Sequence, residues 1–154
     1  MTHKPAPSYR GLTAASRSAS RTASAASAKR DTRPELVLRR ALRGTGLRYK
    51  TDVGSLAGRP DLVIPAARLA VFCDGDFWHG RNLKQRLKKL AQGHNAPYWV
   101  AKISSNVERD RRVARELRSS GWKVLRLWET DVIADPYRAA KAVLRASIAG
   151  LQNN

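Results

Sequence analysis

Residues 58–79 read GRPDLVIPAARLAVFCDGDFWH, and this stretch decides the fold. Gly58-Arg59-Pro60 is turn chemistry, Asp61 closes the turn, and Leu62-Val63-Ile64 opens an apolar β run. Pro65-Ala66-Ala67-Arg68 predicts a reversal, and Leu69 to Phe72 the returning strand. With Ile64 paired to Leu69 across that turn, Asp61 falls opposite Phe72. Alternation then puts Asp61, Phe72 and Asp74 on one face and Cys73 on the other. Asp61 and Asp74 become diagonal neighbours, roughly 7–8 Å apart between backbones, a gap that two side chains and one metal ion bridge. A turn one residue longer or shorter would exchange Asp74 for Cys73. Carboxylates at both ends of a buried hairpin need compensation, because an unpaired buried charge is costly. A divalent cation is the usual one.

Outward from the hairpin, helices alternate with short strands. Thr32-Arg33-Pro34-Glu35 combines an N-cap residue, a first-turn proline and the acid of a T-x-x-E capping box, so a helix starts there and Gly44 stops it. Leu47 to Lys50 is a short strand candidate. Leu83, Leu87 and Leu90 fall at i, i+4 and i+7 in a basic segment, which predicts a short amphipathic helix. A long helix begins near Pro97, with Trp99, Ile103, Val107, Ala114 and Leu117 as its core stripe, and ends at Gly121. Trp122 to Trp128 alternates as a half-buried strand, with both tryptophans in the core. Asp135-Pro136 caps a last helix. The order α-β-β-β-α-β-α is that of an α/β domain, a mixed central sheet flanked by helices.

Thirty Lys and Arg against twelve Asp and Glu give the 154-residue chain a charge of +18. Such an excess points to a polyanion, most often nucleic acid. No apolar run approaches the ~20 residues of a membrane span, so no membrane partner is expected. Residues 1–30 contain six bases and no acid, and are expected to be a disordered basic tail ahead of a folded domain over 31–150. Without the tail, twenty-four bases still face twelve acids, so the excess belongs to the domain. The single cysteine excludes an internal disulfide and, with only three histidines, a Cys-rich zinc site. A cytoplasmic location is expected.

Mg²⁺ takes hard oxygen ligands, typically one or two carboxylates, a carbonyl and substrate phosphate oxygens. In phosphodiester hydrolysis such a metal activates water and offsets charge building on phosphorus, with a neutral histidine as general base. His79 stands a few residues past the strand end, although a lone histidine is more often structural. Glu35 has a complete structural explanation as a helix cap, worth about 0.5–2 kcal/mol. Phe77-Trp78, between an acid and a histidine after Gly75, suits wedging between bases. For Trp99, periodicity alone favours the core. Lys84 and Lys88 suit phosphate contacts, and Lys102, Asn106 and Arg109 lie beside the core stripe of the long helix.

Six blocks carry a resemblance: DTRPEL (31–36), LAGRPDLV (56–63), GDFWHG (75–80), YWVAKI (98–103), NVERDR (106–111) and GWKVLRLWE (121–129). In order and spacing, over about residues 30–132, they resemble the very short patch repair (Vsr) endonucleases. The resemblance implies a PD-(D/E)XK, restriction-endonuclease-like fold and Mg²⁺-dependent nicking (Mn²⁺ serving as well) of one strand of double-stranded DNA at a T:G mismatch. It implies that Asp61 is the carboxylate metal ligand, that Cys73 offers its backbone carbonyl, that His79 is catalytic and that Glu35 orders metal-bound water. Phe77 and Trp78 match the aromatic wedge, and Trp99 a further DNA-facing aromatic. The chain is expected to act as a monomer at the nucleoid. Two departures stand out. Asp76, Arg81, Leu83 and Thr130 occupy the positions of the family's zinc ligands, so no structural zinc is expected and an Asp76–Arg81 ion pair is a candidate replacement. Asp74 stands where the family usually has histidine, as a candidate second metal carboxylate and catalytic acid. The alternatives are a restriction- or defence-type nuclease without mismatch specificity, and a DNA-binding protein with impaired catalysis.

Overall fold

A computed structural model of the protein describes residues 30–151. The expected tail lies outside the described residues except for Arg30, whose guanidinium pairs with Asp52. The elements are α1 (Arg33–Leu42), β1 (Leu62–Ile64), a 3-10 turn (Pro65–Ala67), β2 (Leu69–Asp74), α2 (Leu83–Leu90), α3 (Ala96–Ser119), β3 (Lys123–Trp128), α4 (Glu129–Ala134) and α5 (Pro136–Leu151). The sheet order is β1-β2-β3, with β1 antiparallel and β3 parallel to β2. A mixed sheet flanked by helices is the expected architecture. A parallel pair needs a long crossover, and α2 and α3 supply it.

The hairpin has the expected register, Ile64 opposite Leu69 and Leu62 opposite Val71. Arg68 makes the reversal in the left-handed conformation, φ +46°. The register divides the side chains between two cores. Leu62, Ile64, Leu69 and Val71 pack with Leu38 and Leu42 of α1 and Val143 of α5, joined by Cys73, Leu125 and Leu127. On the other face Ala70 and Phe72 meet Leu117 of α3, with Val113, Trp122 and Val124 beside them. Each fully buried Leu or Ile contributes roughly 1.5–3 kcal/mol.

Several local expectations change. The 47–50 strand reduces to one bridge, in which the amides of Lys50 and Val63 each donate to the other's carbonyl at 2.8 Å. Glycines at φ +78° on either side of Thr45 keep the chain turning, too tightly for a longer ladder. At the start of α1, Thr32 does not cap with its side chain. Its hydroxyl donates instead to Glu35 Oε1 at 2.8 Å, while Glu35 Oε2 accepts the Asp31 amide at 3.0 Å. Trp99 is not a core residue, because the turn that starts α3 buries Tyr98 in its place. Trp122 and Trp128 are half-buried, as is every residue of β3. α4 was not expected and separates β3 from α5. Asp135 caps α5 as anticipated, accepting the Arg138 amide at 3.0 Å. No helix among the described residues is long and apolar enough to cross a membrane.

Candidate active site

The carboxyl end of β2, the loop after it, the first turn of α1 and the middle of α3 border an open cleft of about 1170 Å³. Glu35, Asp61, Cys73, Asp74, Phe77, Trp78, His79, Lys102, Asn106 and Arg109 all border it. The candidates from three separated segments therefore meet in one place. Lys84, Lys88 and Trp99 do not line it; the lysines lie exposed on α2, and Trp99 reaches the cleft only through its contacts with Phe77 and Trp78.

Asp61 reaches across the hairpin, its Oδ2 accepting the Cys73 amide at 2.6 Å. Burial pushes its carboxyl up to about 7; the Cys73 hydrogen bond opposes this, and Glu35 and Asp74 nearby push the same way. No cationic side chain pairs with it among the described residues. Cys73 points to the α1–α5 core, and burial first, then the neighbouring acids, drive its thiol far above the usual range. Its side chain is inert. Its carbonyl remains available as a hard ligand.

Asp74 is 4% exposed and follows the expected alternation, on the α3 side with Phe72. Arg126 of β3 takes both of its oxygens, Nη1 lying 2.9 Å and 3.0 Å from Oδ1 and Oδ2. The same guanidinium sits 4.3 Å from the centre of the Phe72 ring, and Nη2 donates to the Asp110 carbonyl at 3.5 Å. Asp74 Oδ1 also lies 3.7 Å from His79 Nδ1. The acid is thus committed to an arginine and a histidine, not left free opposite Asp61.

His79 is held through both backbone and ring. Its amide donates to the Gly75 carbonyl at 3.0 Å, and Nδ1 lies 2.6 Å from Asp110 Oδ2. Burial lowers its pKa, but the Asp110 hydrogen bond and the charges of Asp74 and Asp110 outweigh it, against Arg126, and the net shift is upward. With Nδ1 directed at a carboxylate, Nε2 is the free nitrogen. Gly80, at φ +71°, allows the loop to lie against α3, since a Cβ there would stand 2.7 Å from Val107.

Phe77, Trp78 and Trp99 form an aromatic cluster at the cleft, with ring centres 5.1–5.9 Å apart. Asn106 anchors the Trp78 carbonyl at 3.0 Å, and Arg86 of α2 lies over Phe77 at 5.2 Å. Behind the loop, Arg81 Nη1 donates to Asp76 Oδ2 (3.1 Å), Thr130 Oγ1 (2.7 Å) and Asp131 Oδ1 (3.0 Å). Thr130 adds a 2.7 Å hydroxyl bond to Asp76. The expected Asp76–Arg81 pair thus forms, widened to four residues that pin the loop to α4.

Asp110 and Arg126 were not anticipated. Asp110 carried a signal, because it follows Asn106 by one helical turn on the face that meets the Trp78-His79 loop. Arg126 carried one too, as a charge in mid-strand on a buried face.

Among the described residues no three or more His, Cys, Asp or Glu side chains gather as a metal cluster. A buried carboxylate with no cationic partner, beside a carbonyl and open to a cleft, nevertheless fits Mg²⁺, which keeps water and phosphate oxygens for most of its shell.

A mixed sheet flanked by helices, with acids at a strand end and an oriented histidine in one cleft, is the arrangement of a DNA endonuclease of restriction-endonuclease-like fold, and the comparisons with known proteins agree. The family model described as "DNA mismatch endonuclease Vsr" matches residues 12–85. The type II nicking enzyme V.NmeDIP of Neisseria meningitidis serogroup C is 41% identical over 115 residues, 75% of this chain and 76% of that protein. The type II nicking enzyme V.HpaIIP of Haemophilus parainfluenzae is 36% identical over 122 residues, 79% of this chain and 85% of that one. The DNA mismatch endonuclease Vsr of Escherichia coli (strain K12) is 41% identical over 102 residues, 66% of this chain and 64% of its own. The chain belongs to the Vsr family.

Proposed function

We propose that this endonuclease nicks one strand of double-stranded DNA at or near a T:G mismatch in a Mg²⁺-dependent reaction. The observation that carries the reading is one cleft joining Asp61, buried without a counter-charge, to His79 held on Asp110, with Phe77, Trp78 and Trp99 beside them. Asp61 and the Cys73 carbonyl would hold the metal, which when bound would supply positive charge against the scissile phosphate. Glu35, fixed by Thr32 and the Asp31 amide, stands near Asp61 and orients water.

His79 Nε2 takes the proton of the attacking water as its oxygen bonds to phosphorus. The P–O bond to the leaving deoxyribose oxygen breaks, and that oxygen gains a proton from solvent. Asp110 holds the ring and stabilises the imidazolium that forms. Asp74 is assigned a positioning role, since Arg126 occupies both its oxygens. Phe77 and Trp78 wedge into the stack where a mismatch makes opening cheapest, and Trp99 supports them. Lys102, Asn106 and Arg109 border the strand, while Lys84 and Lys88 contact phosphates outside the cleft.

Nicking of otherwise identical T:G and T:A duplexes, with and without Mg²⁺, tests the proposal. Single-strand cleavage confined to the T:G duplex and to Mg²⁺, and abolished in Asp61→Ala, is expected. Equal cleavage of both duplexes would replace mismatch repair by a restriction-type activity. Undiminished nicking by Asp61→Ala would refute the metal site.

A further inference from the structure

His79, Asp110, Asp74 and Arg126 form a wall with space on both sides. The cleft lies on one side; on the other is a cavity of about 380 Å³ bordered by the same four residues, by Arg111, Arg115 and Arg118 of α3, and by Trp128. The two spaces differ in chemistry. Acids at the cleft suit a cation, whereas the far cavity carries four arginines against two carboxylates, both already engaged by Arg126 or His79.

Arg111, Arg115 and Arg118 follow one another at i, i+4 and i+7, on one face of α3. Among the described residues, no hydrogen bond or ion pair holds any of their guanidinium groups. Glu108 and Glu116 lie on the same helix, yet neither forms an ion pair with them. Like charges at this spacing destabilise a helix by roughly 0.2–0.5 kcal/mol per pair, which a bound anion would relieve. A basic helix face is usually solvated on a convex surface; this one borders a concavity with an indole ring in its lining. The planar fork of arginine matches phosphate oxygens two at a time.

We propose that this cavity is a second phosphate site, which takes a backbone phosphate of the bound DNA away from the scissile position. The strand is then gripped on both sides of the wall, and the His79–Asp110 pair lies between two anchored phosphates. The inference rests on the reading that DNA occupies the cleft.

Binding of a fluorescent T:G duplex to the full chain, measured by anisotropy at several salt concentrations, tests it. The comparison is between Arg111→Ala/Arg115→Ala/Arg118→Ala and a control of equal charge on exposed α5 positions, Arg138→Ala/Lys141→Ala/Arg145→Ala. The α3 variant is expected to bind at least tenfold more weakly. Its log K against log salt slope becomes shallower by about 1–3, at about 0.9 per lost phosphate contact, while the α5 variant keeps the wild-type slope. Should the triple variant melt below wild type, Arg115→Ala alone carries the test, with a slope change of about 1. An unchanged slope, or equal losses in both triple variants, overturns the site. Inorganic phosphate bound by wild type but not by the α3 variant, with DNA binding the same in both, makes the cavity a free-phosphate site and overturns the strand assignment. Wild-type protein that fails to bind DNA in a salt-dependent way would instead sink the functional reading itself.

Discussion

Replacing Arg126 with Met isolates the pair that most distinguishes this site. Asp74 is 6% exposed at its side chain and Arg126 24%, so the carboxylate has almost no access to water once its partner is gone. Removing one member of a fully buried pair costs about 3–5 kcal/mol, and the partial exposure of Arg126 places the expected loss near ~3 kcal/mol. The contact with Phe72 at 4.3 Å is lost as well, although the methionine chain retains some packing there. Asp74→Leu/Arg126→Met replaces the pair by apolar groups and is expected within about 1 kcal/mol of wild type. Urea unfolding of both single variants and the double variant closes the cycle. A coupling energy of at least ~2 kcal/mol is expected; one below ~0.5 kcal/mol would refute the view that Asp74 is held by Arg126. The same substitution has a signature in catalysis. Arg126 lowers the pKa of His79, so its removal raises it further. The base then loses its proton at higher pH, and the acid limb of the rate profile moves upward.

Other perturbations probe the rest of the cleft. Asp110→Asn removes the hydrogen bond that raises His79, so the acid limb moves to lower pH, while the plateau rate falls by about 10²–10⁴-fold as the ring loses its orientation. Single-turnover nicking between pH 5 and 9 measures both; a wild-type profile sinks the orienting role. Asp61 is raised to about 7, so the fold binds a proton more tightly than the unfolded chain, and metal-free stability declines as pH rises from ~4 to ~7. Asp61→Asn is therefore expected to melt above wild type at pH 8 without metal. Mg²⁺ at a hundred times its Kd stabilises wild type by ~2.7 kcal/mol and leaves the variant unmoved. Arg81→Ala is expected to loosen the aromatic loop, seen as increased quenching of tryptophan fluorescence and a raised KM; quenching and KM at wild-type values would show that the clamp does not support the wedge. Gly80→Ala forces a left-handed backbone and a 2.7 Å approach to Val107, and is expected to destabilise the fold by more than ~1 kcal/mol in urea.

Asp74 shows how a strand-end acid acquires partners that its own stretch of sequence does not carry. Its register and face follow from hairpin alternation, and the structure has both. Whether such an acid is free depends on what the neighbouring strand carries. Parallel pairing of Phe72 with Arg126 brings a guanidinium within reach, and that pairing joins positions 54 residues apart.

The sequence alone determined what short-range chemistry controls. Pro65 and the apolar runs on either side set the hairpin, and with a four-residue turn alternation buries Leu62, Ile64, Leu69 and Val71 together. Helix periodicity and the Asp135 cap placed most of the helices, and the ordered blocks placed Asp61, Glu35 and His79 in one site. Misplaced features were those that a short window represents poorly. The 47–50 strand had no partner long enough to extend it, and Trp99 gave its core position to Tyr98 once the start of α3 set the helix phase. Only tertiary structure decided the partners of the charges. His79 meets Asp110 across 31 residues, Asp74 meets Arg126 across 52, and Arg81 meets Thr130 across 49. Electrostatic pairing falls off with distance in space and is indifferent to distance along the chain. The residues at the hairpin's end were therefore legible from the sequence, and the charge each one faces was not.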